Sequence, residues 1–223
     1  MTQKTSHNVV MDEDIITDYA AGKLSPAKHI MVACQSEISD AVAQRIAFQE
    51  GLAASMLEQG TSEPLSPLFM GNALAALPQQ THNHPPAAPA PSGGLAPQSL
   101  RHMLGHGLKD MQWKSMVPGV AVHDVLGNRH TKDGDRLYLL KAKGGMKMPQ
   151  HSHNGEEWTL ILTGSYTTGD TRYARGDLHI EDETETHAPH IDEGEDCICL
   201  VMTQGPLKMQ GWLPKMVQRV VGI

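Results

Sequence analysis

A proline-rich window without a single charge divides this chain. Residues 78–100 contain no Asp, Glu, Lys or Arg, and carry Pro78, Pro85, Pro86, Pro89, Pro91 and Pro97 around Ser92-Gly93-Gly94. Such a stretch buries too little apolar surface to fold, and its prolines keep it extended, so it is predicted to be an interdomain linker. Two domains follow, over residues 1–77 and 101–223. Their charge differs. Residues 1–77 hold four Lys/Arg against nine Asp/Glu, and residues 101–223 hold fourteen against sixteen. The acidic excess therefore sits in the smaller part.

Residues 1–77 are predicted to be a small all-α bundle. Asp12 suits the cap of a short helix through Ala21, with Gly22 after its end. Ser25-Pro26 reads as a cap followed by proline at the first helical position. Met31, Ile38, Val42, Ile46 and Leu52 then recur at helical spacing to about Glu58, and a shorter helix is expected from Leu68 to Leu77. Residues 101–223 read instead as strands: Arg136–Lys141, Glu157–Thr163 and Asp196–Met202, punctuated by Gly144-Gly145, Gly164, Gly169 and Gly176. Short strands without intervening helical periods indicate an all-β sandwich or barrel.

Composition removes several classes of function. The 223 residues carry a net charge of -7, which argues against binding nucleic acid by phosphate neutralisation. No apolar run reaches the roughly 20 residues that a membrane span needs. Met1–Val10 shows no basic region followed by an apolar stretch, so no secretory signal is expected. Three Cys do not suggest a disulfide-stapled secreted fold, and a reducing cytoplasm fits better.

Histidine, at 13, is the outlier, and five of these lie between His151 and His190. His151 and His153 alternate on one face of an extended chain. A turn at Asn154-Gly155 lets Glu157 return toward them, sharing a face with Thr159 and Ile161 and leaving Trp158 and Leu160 on the other. His187 follows a turn at Gly176-Asp177 and a strand through His179 and Ile180. Three imidazoles and one carboxylate suit a borderline divalent metal, so His151, His153, Glu157 and His187 are the predicted ligands. Glu156 should point the opposite way, to solvent or behind the ligands, and His190 is a neighbour rather than a ligand. Cys197 and Cys199 share a strand face about 6.5 Å apart with parallel side chains, poor geometry for a disulfide. They are either an oxidisable pair near the barrel or two small buried apolar residues, the commoner fate of free Cys.

The spacing of His151, His153, Glu157 and Gly164, then Gly176-Asp177 and His187, resembles the two motifs of the cupin fold. That resemblance implies a double-sheet jelly-roll barrel with the metal inside it. Together with Asp18-Tyr-Ala-Ala-Gly22-Lys-Leu-Ser25, Asp196-Cys-Ile-Cys-Leu200 and Leu213-Pro-Lys-Met-Val-Gln218, the whole arrangement resembles the ChrR-type anti-sigma factors. The resemblance implies a cytoplasmic regulator whose helices sequester an extracytoplasmic-function-type sigma factor, while the cupin senses oxidative stress. Zinc is then the first choice of cupin metal, with iron, manganese, nickel and copper as alternatives. Members of that family also bind zinc in the helical domain through an upstream His and a His-x3-Cys-x2-Cys motif. Here the three motif positions fall on Gln35, Ser39 and Val42, so no N-terminal zinc is expected. His7 remains as an upstream histidine, but His29 and Cys34 lie about 140° apart around a helix.

Two other functions fit the same residues. One is a metal-dependent cupin oxygenase or isomerase with an N-terminal interaction domain, since such a site leaves coordination positions open. The other is a binding module whose helices only form a homodimer.

Overall fold

A computed structural model describes residues 4–5, 11–77, 96–126, 134–205 and 208–209, the first and last pairs by backbone alone. His7, His82, His84, His130, Leu213–Gln218 and most of the proline window lie outside the described residues. After a two-residue strand β1 (Lys4–Thr5) come α1 (Glu13–Ala20), α2 (Pro26–Ser36), α3 (Asp40–Glu58), α4 (Phe69–Ala76) and α5 (Gln98–Leu104). Strands follow: β2 (Lys114–Val117), β3 (Val120–Asp124), β4 (Arg136–Ala142), β5 (His151–Ser152), β6 (Glu157–Thr163) and β7 (Ser165–Thr168). The last are β8 (Thr171–Ala174), β9 (Leu178–Glu181), β10 (Thr186–His187), β11 (His190–Ile191), β12 (Cys197–Thr203) and β13 (Lys208–Met209).

The helix starts follow their caps. The Asp14 amide donates to the Asp12 carboxylate and the Lys28 amide to the Ser25 hydroxyl. Gly22 takes a φ of +66° just past α1, which glycine adopts without a β-carbon penalty. The single helix expected from Pro26 to Glu58 is in fact two. The chain turns at Glu37–Ser39, where the amides of Ile38 and Ser39 both donate to the Gln35 carbonyl. The break lets α3 fold back onto α1, where Arg45 pairs with Glu13 at 2.6 Å. The proline window also ends earlier than expected. Ala96 is buried, α5 begins at Gln98, and Leu100 is wholly buried in the core. A charge-free composition marks solvated and apolar segments alike, and Leu100 is apolar enough to pack.

Six strands in the order β2-β3-β4-β12-β6-β9 form the main sheet, antiparallel throughout. The four-stranded sheet β1-β8-β7-β11 and the three-stranded sheet β10-β5-β13 make up the remaining strands of the jelly roll. Side chains of β4, β6 and β12 alternate between the two faces of the sheet. Tyr138, Ile161, Cys197, Cys199 and Val201 point into the barrel, where Tyr166, Tyr173 and Ile191 meet them. Leu137, Leu139, Trp158, Leu160, Leu162, Leu200 and Met202 point out and join Ile16, Met31, Val32, Cys34 and Leu100 in one continuous core. The all-α N-terminal part expected from the sequence is present, and its helices share this core with the sheet. They cover the outer face of the sheet, and every residue of β6 is buried on one side or the other.

The turn at Gly176 seats this helical layer. Gly176 has a φ of +92°, and a β-carbon there would lie 3.0 Å from Ile38 Cγ2. Its carbonyl accepts a hydrogen bond of 3.0 Å from Gln35 Nε2. Ser25 donates to Asp135 on the sheet side.

The three cysteines are free and buried. Burial, with help from Glu37, pushes the Cys34 thiol up to about 12. Cys199 is held well above its ordinary value by its hydrogen bond with Cys197, with the two sulfurs 3.5 Å apart, and by burial.

Two outcomes are expected. Leu160→Ala removes a fully buried side chain from the shared core and should cost about 2–5 kcal/mol. Helical and barrel signals should still melt together in the variant; separate transitions would mean that the layers fold independently. Because a raised pKa leaves a thiol protonated and unreactive, Cys34 and Cys199 should resist iodoacetamide at pH 8 in the native chain. Both should react promptly in denaturant, as mass spectrometry would show.

Candidate metal centre

Backbone pairing brings the histidines together. β5 and β10 run antiparallel with His151 opposite His187. The turn after His153, with Gly155 at a φ of +92°, sends the chain back into β6, which opens at Glu157. His151, His153, Glu157 and His187 each offer a ligand atom, and these atoms lie within 4.8 Å of one another. Glu157 shares the inner face with Thr159, whose hydroxyl donates to it at 3.3 Å, while Trp158 and Leu160 face the helices. His190 lies outside the cluster, paired with Thr167 on β7.

The cluster is dry. His151, His153 and Glu157 are at most 8% exposed. The Nε2 atoms of His151 and His187 approach to 2.7 Å, and those of His153 and His187 to 3.4 Å. His151 Nδ1 donates to the Pro149 carbonyl at 2.8 Å, which leaves its Nε2 lone pair aimed at the cluster. His153 Nδ1 is buried without a hydrogen bond, although it lies 3.3 Å from Glu157 Oε2. Three imidazole nitrogens and a carboxylate that converge in this way, with too few protons to satisfy every pair, fit a cation better than they fit one another. The buried group could hold a metal ion.

Electrostatics polarise the four residues. Burial, then the His187 ring, lowers His151. Burial also disfavours a charged His153, but the carboxylate of Glu157 close beside it outweighs burial and raises this histidine. Glu157 shows the mirror case: burial pushes it up, and His153 more than compensates, so its carboxyl stays below the ordinary value.

A fifth residue, Glu181, belongs to the cluster and was not apparent from the sequence. It is 5% exposed, faces His187 Nδ1, and lies opposite Glu157 in the β6–β9 pairing. It turns the other nitrogen of His187 toward His151, as carboxylates behind ligating histidines do. His179, Glu181 and His187 form a second close group that shares His187 with the first. The available signal was His179-x-Glu181, an alternating pair on a strand next to β6.

Glu156 points away from the cluster, as alternation requires, and its half-buried carboxylate is held from the helical side. Its Oε2 accepts from Lys28 Nζ at 2.6 Å and from Trp158 Nε1 at 2.9 Å. Lys28 also lies 5.0 Å from the centre of the Trp158 ring. In the helices, His29 stacks on Tyr19 with ring centres 4.3 Å apart, and Gln35 and Val42 are buried.

Comparison with known proteins agrees with this geometry. Residues 102–208 match the ChrR Cupin-like domain. The chain is 32% identical over 210 residues to the anti-sigma-E factor ChrR of Cereibacter sphaeroides, covering 93% of this chain and 95% of that protein. It is also similar to the crystal structure of Rhodobacter sphaeroides SigE in complex with the anti-sigma ChrR. There the identity is 30%, the coverage is 90% of this chain and 99% of the other, and the TM-score is 0.69. A relative of that identity and coverage, with the same helices and the same barrel, places this chain in the ChrR family of anti-sigma factors.

Proposed function

We propose that this chain sequesters a sigma factor through its helices, and that a divalent metal held by His151, His153, Glu157 and His187 governs release under oxidative stress. The observation that carries the first half is an uncovered apolar surface. Phe48, Leu52 and Met56 recur every fourth residue along the second half of α3, and Phe69, Met70 and Leu74 line α4; each is at least 48% exposed. Groups of exposed apolar side chains of this size mark surfaces that a partner covers. The acidic excess of residues 1–77 suits a basic helical partner. The solved relative, bound to SigE, supports a partner of that class.

In this reading residues 1–77 bind the partner and residues 101–223 sense the signal. The intervening window joins them, with its last residues taken into α5. The chain acts in the cytoplasm, where sigma factors work. Among the described residues no helix is long and apolar enough to cross a membrane. Zinc is the proposed ion, since three histidines and a carboxylate meet its preferences without redox chemistry. When bound, a divalent cation would supply Lewis acidity and tie β5, β6 and β10 together.

Glu156 supplies the link between the two halves. It neighbours Glu157 in sequence, yet its carboxylate grips Lys28 on α2. A shift of β6 at the cluster therefore changes the seat of the helical layer. Both partners are partly exposed, at 17% and 40% for the side chains, so the pair contributes at most about 1 kcal/mol. That is enough to tune a partner's affinity by a small factor through the two packing states.

Metal analysis of the purified chain should find about one equivalent, lost in His151→Ala; a full equivalent surviving in the variant would overturn the ligand assignment. Capture of a co-expressed extracytoplasmic-function-type sigma factor should be abolished by Phe48→Asp with Leu52→Asp, while the melting temperature is unchanged. Lys28→Met should retain capture but lose its dependence on the metal. Turnover of an oxidisable substrate by the metal-loaded protein, without sigma capture, would favour the enzymatic reading instead.

A further inference from the structure

Inside the barrel, beside the cluster, lies a cavity of about 330 Å³. That is the small end of the range for ligand sites and far more than one water needs. Its walls are apolar: Val120, Leu140, Ala142, Ile191 and Val201 are among them. Its polar wall groups are largely engaged elsewhere. Thr159 donates to Glu157, the Tyr166 hydroxyl meets His179 Nδ1 at 2.8 Å, Tyr138 is hydrogen-bonded to Thr203, and the two cysteines face each other. What remains open on the wall is one polar end, formed by His151, Glu157 and His187. Met146 and Met148, only partly buried, border the cavity with exposed Lys147. Unbranched, polarisable methionines adapt to guests of varied outline.

We propose that this cavity binds a small amphiphile, an apolar body of roughly ten heavy atoms carrying a single oxygen head group turned toward His151 and His187. The body follows from the volume and the walls. One head group follows from the single open polar end, because a second polar group would be buried against Val and Leu without a partner. The proposal deepens the sensor reading, and its head-group half rests on the metal held there. Occupancy would press on Val201 and Cys199 of β12, whose outward neighbours Leu200 and Met202 touch the helical layer. A guest in the barrel would thus act on the same sheet that seats the partner-binding helices.

The test is calorimetric titration of the full-length, zinc-loaded chain with octanoate and with 1-octanol, with metal content measured on every sample. Saturable binding near one equivalent is expected. Affinity should fall roughly tenfold or more in Val201→Phe and in Ala142→Ile, both of which fill the cavity and should keep the fold and the metal. Using two filling positions protects the result if one variant does not fold. No saturable binding of either probe to protein that carries the metal overturns the cavity proposal and leaves the metal centre standing. Affinity unchanged in both folded variants puts the probe elsewhere and also overturns it. If the chain takes up no zinc, the metal reading fails separately. Binding of 1-octanol to that protein, lost on filling, then still supports the cavity, and no binding refutes it.

Discussion

The middle of the six-stranded sheet, above all β6 and β12, is buried on both faces, and everything else in the molecule depends on that. Period-two alternation gives each strand two unrelated jobs. On β6, Glu157, Thr159 and Ile161 build the barrel interior, while Trp158, Leu160 and Leu162 hold the helices. A slip of one residue in its pairing would exchange the two sets, putting a carboxylate under α2 and a tryptophan into the cluster. The register is thus specified twice, from inside and from outside.

The cluster inside the barrel presents the harder energetic problem. Four polar side chains and Glu181 are taken out of water at close quarters. The protein fixes their directions from behind: the Pro149 carbonyl accepts from His151, Glu181 sits against His187 Nδ1, and the Thr159 hydroxyl donates to Glu157. These contacts freeze rings whose inward nitrogens then face one another. Such an arrangement is costly unless a positive centre completes it. The ion pair of His153 with Glu157 offsets part of that cost when no cation is present.

Much of this was legible in the sequence. The strands at Arg136, Glu157 and Cys197 were visible as apolar runs ended by glycines, and Gly164 and Gly176 indeed take positive φ. The facing of Glu157 against Trp158 followed from alternation alone. What covers the outer face did not. A run such as Trp158–Thr163 is apolar on both sides, and composition does not say whether a second sheet, a helix or another chain lies against it. The break at Ile38 was hidden for the same reason: Ile38 keeps helical spacing but packs on Gly176, a contact made only in the folded chain. Glu181 was concealed by the acidic run that follows it, which reads as a solvated turn. Alternation placed Glu156 in solvent or behind the ligands but did not reveal its partner, because Lys28 lies 128 residues away.

The position of β12 has a consequence for how the molecule is made. This strand lies between β4 and β6, pairing with both, yet it comes near the end of the chain. The sheet has no centre until Cys197–Thr203 has left the ribosome. By then α1 to α4 have long been synthesised, with Ile16, Met31 and Val32 still lacking the surface that will bury them. Long-range pairings of this kind form late and slowly. In a chain of this family the helices are therefore synthesised before the strand that completes the sheet on which they pack.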